Sequence, residues 1–190
     1  MHLDPQSLVT DVWIVLVIVW LVASLGAKPS RRVQSVASRL ITSGFIICGV
    51  LLLFSTKPRM GPLSWRFVPE SDEVAWTGFA LTLAGIALSI WARVILGSNW
   101  SGRVTIKQGH QLIRRGPYGV VRHPIYSGFL LAILGTAILA GEVRDLVGLV
   151  FIAIGFKLKS RLEESFLQDE FGAEYVNYMR RVKALVPFVV

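Results

Sequence analysis

The chain has 190 residues, 53% of them hydrophobic, with a mean hydropathy of +0.58. That excludes an ordinary water-soluble domain and leads us to expect one membrane-embedded domain over residues 1–190. The net charge of +8, in a chain this apolar, reads as loops facing anionic lipid and argues against a nucleic-acid partner. Cys48 is the only cysteine, so no intrachain disulfide and no cysteine-built metal cluster can form. Inside an apolar run it reads as a small buried hydrophobe. The N-terminus carries Asp4 and Asp11 and no basic residue ahead of the first apolar block, which does not read as a secretory signal peptide.

A spanning helix needs about 20 mostly apolar residues. The first such run is 8–27, whose Trp13 and Trp20 read as lipid-facing or packing residues, and Lys28-Pro29-Ser30-Arg31-Arg32 breaks it. The second is 36–54, where Gly44 and Gly49 suit close helix contact. A polar loop over 55–73 follows, punctuated by Pro58, Gly61, Pro62 and Pro69, with Trp65 as an interfacial anchor. The third run is 74–96, with Gly78 and Gly85 on one face. Residues 97–124 contain no acid and five basic residues, Arg103, Lys107, Arg114, Arg115 and Arg122. Pro124, in the favoured first position of a helix, opens the fourth run at 125–140. A tight turn over 141–145 leads to a short fifth run, 146–156, extended by Val143 and by the stems of Lys157 and Lys159. Runs four and five form a helical hairpin. The tail from Ser160 is amphipathic, with Leu162, Phe166 and Leu167 as its apolar stripe, an interruption at Gly172, Tyr175 and Tyr178 as packing residues, and an end at Pro187.

The expected architecture is therefore all-α: an integral membrane bundle of about five transmembrane helices. Residues 1–96 make three N-terminal spans, and 97–190 hold the site. Charge sets the orientation. Lys28, Arg31, Arg32 and Arg39, then Arg93 and the five basic residues of 97–124, then Lys157, Lys159, Arg161, Arg180, Arg181 and Lys183 fall on one side. Lys57, Arg59, Arg66 and Arg144 fall on the other. The positive-inside rule then places the N-terminus outside and the C-terminus inside, with the basic segment and the tail on one cytoplasmic face.

The stretch from Arg114 to Gly128 reads as a site. Pro124 biases His123 out of helical geometry, so His123 stands at the mouth of the fourth helix, where the amides of Ile125, Tyr126 and Ser127 would meet an anion. Arg122 adds charge, and Gly116 and Gly119 permit close backbone approach. Tyr118 and Tyr126 offer flat faces for a purine or a sulfonium. A zwitterionic, adenine-bearing cofactor matches this set. Glu163 and Glu164 lie one or two turns beyond the fifth run, able to hold a ribose hydroxyl or an amino group. Lys159, one turn before Glu163, and Arg161 are the candidates to hold an anionic substrate group. His110 and His123 find no third ligand on their loop, so no metal site is expected, and the loop lacks an acid that would orient His123 in a hydrolase triad.

Gly116-Pro117-Tyr118, Arg122-His123-Pro124-x-Tyr126-x-Gly128, Glu163-Glu164, Phe171-Gly172-x-x-Tyr175-x-x-Tyr178 and Pro187 together resemble the isoprenylcysteine carboxyl methyltransferase family, and more widely the membrane phospholipid methyltransferases, over 97–188. The resemblance implies S-adenosylmethionine as cofactor, held at the cytoplasmic face by His110, Gln111, Leu112, Ile113, Tyr118, His123, Pro124, Ile125, Tyr126 and Glu163. It implies a lipophilic, prenylated acceptor entering from the bilayer, its carboxylate held by Lys159 or Arg161. The competing readings are N-methylation of a lipid amine, an NADPH-dependent sterol-type reductase with a similar Arg-His-Pro-x-Tyr segment, and a non-catalytic relative. Against the reductase, Ile125 and Phe129 stand where Asn and an acid are usual.

Overall fold

In a computed structural model, residues 4–25, 30–54, 61–102, 104–107 and 111–187 are described. His110 and Arg103 of the candidate site, and the loop positions Lys28, Pro29, Lys57, Pro58 and Arg59, lie outside them. Among the described residues there are six α-helices: α1 (Pro5–Ser24), α2 (Val36–Phe54), α3 (Asp72–Leu96), α4 (Pro124–Ala140), α5 (Val143–Phe171) and α6 (Ala173–Arg181). The stretches forming α1, α2 and α3 are long and apolar enough to cross a membrane, and α4 is a shorter apolar helix of the same kind. The chain is thus a multi-pass, membrane-type helical bundle.

Caps locate several helix ends. Asp4 accepts from the amides of Gln6 and Ser7 at the start of α1, and Ser71 from Val74 at the start of α3. Gly141, at φ 79°, closes α4 in a left-handed conformation that suits glycine. Glu142 and Asp145 then form a reciprocal capping box for α5.

Small residues decide which helices pair. Gly78, Thr82, Gly85 and Ser89 of α3 meet Gly128, Ala132 and Gly135 of α4; a Cβ on Gly78 would stand 2.7 Å from the Gly135 carbonyl. Backbones this close let Thr82 Oγ1 donate to the Gly78 and Ala132 carbonyls, and Ser89 Oγ to that of Ile125. Similarly, Gly49 of α2 packs on Gly148 and Ile152 of α5. Gly44 departs from the expectation, since nothing lies within 4 Å of a Cβ placed there. Cys48 is exposed on the outward face of α2, not buried. Ile47 and Leu51 share its exposure, and such a surface is stable where hydrocarbon surrounds it.

Three further features differ from expectation. A two-stranded antiparallel pair, β1 (Ser30–Val33) with β2 (Thr105–Lys107), joins two loops in the register Ser30↔Lys107, Arg32↔Ile106 and Val33↔Thr105. These loops leave neighbouring helix ends, and pairing satisfies backbone groups that hydrocarbon cannot. Gln34 extends the pairing, its amide donating to the Val104 carbonyl and its Oε1 accepting from the Val104 amide. Second, α5 does not stop at Phe156; it runs unbroken for 29 residues to Phe171. At about 1.5 Å per residue this rod is about 44 Å long, so Lys159, Glu163 and Glu164 ride on the same rigid element as the apolar run. Third, the main packing partners are α3 with α4 and α2 with α5, while the α4–α5 hairpin makes fewer contacts. The loop before α3 covers the α4–α5 turn, through Arg66 Nη1 to the Ala140 carbonyl and the Phe67 amide to that of Gly141.

Candidate functional site

The site forms at the opposite end of the bundle. A 3₁₀ turn over Gly116–Gly119 aims Tyr118 inward. Gly116 is needed for its φ of 59° and faces Trp91 and Ile95, so its role is the turn and not approach to a ligand. His123 is the N-cap of α4, at φ −124° and ψ 59°. Its carbonyl accepts from the Ser127 amide, so that amide is not available to an anion.

The tail is stitched to this segment. The Arg122 and His123 amides donate to the Lys183 and Ala184 carbonyls at 2.8 and 3.0 Å. Ser127 Oγ donates to the Leu185 carbonyl at 2.5 Å. Tyr178 Oη donates to the Tyr118 carbonyl, also at 2.5 Å. Gly172, at φ 52°, breaks the chain between α5 and α6 and lets α6 fold back. Tyr175 and Tyr178 are buried there as packing residues.

The two glutamates divide their work. Glu164 faces inward: its Oε1 accepts from Arg122 Nε at 2.9 Å and Nη2 at 2.7 Å, and lies 3.0 Å from His123 Nε2. Arg122 also donates to the Met179 and Val182 carbonyls, so its charge is spent within the protein. Glu163 faces the cavity described below. Its Oε1 accepts from Tyr126 Oη at 2.5 Å, and its Oε2 lies 3.4 Å from His123 Nδ1. His123, stacked on Tyr126 at 5.5 Å, thus stands between two carboxylates.

Burial by itself would lower the His123 pKa, but hydrogen bonds and charge from Glu163 and Glu164 outweigh it and hold it above the ordinary 6.5. For each glutamate burial acts upward, and the bond to His123 leads the effects that leave it below the ordinary 4.5. A raised histidine contributes stability that is complete below pH 6.5 and lost as pH climbs through its folded value. A lowered glutamate contributes stability that is complete above pH 4.5 and lost as pH falls through its folded value. The melting temperature in detergent should therefore be highest between these limits and fall on both sides. His123→Asn should remove the alkaline fall; a wild-type melting temperature that rises above pH 6.5 would contradict this cluster.

A cavity of about 490 Å³ opens beside the cluster. Its polar end is lined by Lys159, Glu163, His123, Asn99, Ser101 and Gly102, and its aromatic wall by Tyr118, Tyr126 and Trp100. Lys159 Nζ donates to the Gly102 carbonyl at 3.1 Å and lies 5.5 Å from the Tyr126 ring centre. Asn99 is 9% exposed, and its side-chain oxygen has no hydrogen-bond partner among the described residues; a ligand N–H or O–H is what it lacks. Of the sequence candidates, Tyr118, Arg122, His123, Ile125, Tyr126, Glu163 and Lys159 line this cavity, Arg122 with its guanidinium turned to Glu164. Pro124 is buried at the start of α4. Gln111, Leu112 and Ile113 are not among its lining residues; Ile113 packs instead on the Ala92, Tyr118 and Ile125 cluster. Arg161 is exposed and outside the lining.

Residues 77–169 match the isoprenylcysteine carboxyl methyltransferase family. The chain is similar to that family over this segment, just under half of its length. It is 32% identical over 129 residues to protein-S-isoprenylcysteine O-methyltransferase B of Arabidopsis thaliana, covering 65% of this chain and 66% of the relative. The mouse protein-S-isoprenylcysteine O-methyltransferase is 30% identical over 129 residues, covering 65% and 46%. The Saccharomyces cerevisiae protein of the same name is 32% identical over 115 residues, covering 59% and 48%. The fold is similar to a solved structure of the eukaryotic intramembrane Ras methyltransferase, isoprenylcysteine carboxyl methyltransferase. There the TM-score is 0.51 at 20% identity, with 83% of this chain and 55% of that chain covered. The matches thus span just under two thirds of the plant relative and about half of the mouse and yeast relatives. The family segment contains Asn99, Tyr118, His123, Tyr126, Lys159 and Glu163, and excludes α1, α2 and α6.

Sequence reasoning missed the rest of the cavity wall. Trp13 and Trp20 of α1 and Ile46, Val50 and Phe54 of α2 all line it. In a chain that is apolar throughout, only their aromatic and small-residue spacing could have signalled this.

Proposed function

We propose that this chain is an integral membrane, S-adenosylmethionine-dependent methyltransferase acting on the carboxylate of a prenyl-cysteine-like acceptor. The observation that carries the reading is one cavity whose polar end holds Lys159, Glu163 and His123, with Asn99, Ser101, Thr105 and Arg122 beside them, and whose deeper walls are apolar. The donor set fits the cofactor: a carboxylate at Glu163 for amino or ribose hydroxyl groups, aromatic faces at Tyr118, Tyr126 and Trp100 for a sulfonium or purine, and the unpaired oxygen of Asn99 for a further N–H. When bound, S-adenosylmethionine supplies a methyl group activated by its sulfonium. That methyl would pass to an ionised carboxylate oxygen of the acceptor, with the electron pair of the broken carbon–sulfur bond left on sulfur. No proton moves, so the protein's task is alignment and exclusion of water. Lys159, already held at the cavity, orients the acceptor carboxylate; Arg161 points elsewhere.

The same lysine separates this reading from N-methylation of a lipid amine. Its ammonium attracts a carboxylate and repels a protonated amine. We further infer that α4 and α5 cross the bilayer with α1 to α3, giving five spans. The charge count then puts the N-terminus outside and the C-terminus and site in the cytoplasm.

The test has two parts. S-adenosylhomocysteine should raise the melting temperature of the purified protein, and NADPH should not. Labelled methyl from S-adenosylmethionine should pass to prenyl-cysteines and not to fatty acids or lipid amines. Stabilisation by NADPH alone, or labelling of lipid amines alone, would overturn the reading.

A further inference from the structure

Each of the helices α1, α2, α4 and α5 contributes a ladder of residues to the cavity, and the ladders end at a common depth. On α4 the rungs are Ile125, Tyr126, Phe129 and Ile133. On α5 they are Glu163, Lys159, Phe156 and Ile152, each about one turn further from the polar end. From Glu163 to Ile152 the helix covers about 16 Å. Beyond Ile133 the next inward position on α4 is Thr136, and there the cavity stops: Thr136 Oγ1 accepts a hydrogen bond at 3.1 Å from Trp13 Nε1.

That bond lays the Trp13 indole across the bundle from α1 to α4. The ring stacks on Phe129, with centroids 6.4 Å apart and planes at 27°, and meets Phe54 of α2 edge-on at 5.9 Å and 85°. Thr136 is itself fixed, donating to the Ala132 carbonyl at 2.9 Å. The deepest lining residues are thus closed by one aromatic side chain anchored on three helices. A half-buried indole with its N–H satisfied and its ring packed between aromatic neighbours is a rigid wall.

We propose that Trp13 is the end-stop of the apolar arm and sets the length of the acceptor's lipid tail. The proposal rests on the acceptor being prenyl-type, and it adds a specificity residue that lies outside the family segment at 77–169. The tail lies along Phe156, Ile152, Phe129 and Ile133 with its carboxylate at Lys159, and its last isoprene unit abuts the indole.

The probes are N-acetylcysteines carrying ten-, fifteen- or twenty-carbon prenyl chains on sulfur. Their binding to the full-length protein in detergent is read from the melting temperature, and their methylation as kcat/KM. Trp13→Ala should move the preference toward the longer chain by roughly tenfold or more, the usual cost of misfitting an apolar pocket. Trp13→Phe removes the anchoring N–H and part of the ring, and Thr136→Val removes the accepting hydroxyl while keeping its shape; each should give a smaller shift in the same direction. An unchanged length preference in folded Trp13→Ala overturns the end-stop and leaves the methyltransferase reading intact. A length-dependent binding shift without methyl transfer supports the end-stop and sinks the reading of the reaction. Failure of all three chains to bind the wild-type protein overturns both. If Trp13→Ala does not fold, the ratio is read on the two milder variants, and no change there is equally decisive.

Discussion

Arg122→Leu should cost the protein about 3–5 kcal/mol of stability, the usual effect of removing one partner from a buried ion pair. The pair is well enclosed, with the Arg122 and Glu164 side chains 9% and 12% exposed. Two of the three donors on Glu164 Oε1 belong to Arg122. Losing them leaves a carboxylate that is partly desolvated and held by His123 alone. The Met179 and Val182 carbonyls at the end of α6 lose the same guanidinium. The tail should loosen first, so limited proteolysis should cut after Gly172 in the variant and spare the wild type. Arg122→Leu combined with Glu164→Leu should be less destabilised than Arg122→Leu alone, because an apolar pair leaves no unmatched charge. If the single variant melts with the wild type, the guanidinium is not the clasp between the site and the tail.

That clasp shows how legibility divided between sequence and structure. Apolar runs marked the spans, because hydrocarbon admits little else. Pro124 marked the mouth of α4 and Gly172 the break before α6, because each has a backbone preference independent of context. The placing of the two glutamates near His123 followed from the motif. What remained hidden depended on partners. Arg122 looked like a charge available to a ligand, and only the fold shows Glu164, Met179 and Val182 consuming it. The tail seemed separate from the fifth run because Lys157, Lys159 and Arg161 end its hydropathy. Those residues are good helix formers, and they do not end the helix. The β1–β2 pair was invisible because it arises from two loops about seventy residues apart. Trp13 was read as a lipid-facing or packing residue; which way an indole on an apolar helix faces depends on the neighbouring helices. The matched segment covers the polar end of the cavity and its α4 and α5 walls, while the wall made by α1 and α2 lies outside it.

Glu163→Gln tests the polar half most directly, because it keeps the shape of the side chain and removes its charge. Glu163 is the carboxylate that lines the cavity, and Glu164 is not. A charged hydrogen bond contributes about 1.5–3 kcal/mol, so affinity for S-adenosylhomocysteine should fall by roughly ten- to a hundredfold or more. The fold should survive, since Tyr126 Oη can still donate to the amide oxygen. His123 would lose the charge of one of its two carboxylates, and its pKa should drop toward the ordinary value, moving the alkaline loss of stability to lower pH. Lys159 would lose the opposing charge beside it, since each sits on the same face of α5 one turn apart. The Michaelis constant for the acceptor should therefore change less than that for the methyl donor. Glu164→Gln should show the converse pattern, with stability falling further and cofactor affinity falling less, because its oxygen faces Arg122 and His123 and not the cavity. Equal cofactor affinity in folded Glu163→Gln and wild type would remove Glu163 from the binding site and leave it as a support for His123. A loss confined to the acceptor would move it to the substrate side of the cavity, next to Lys159.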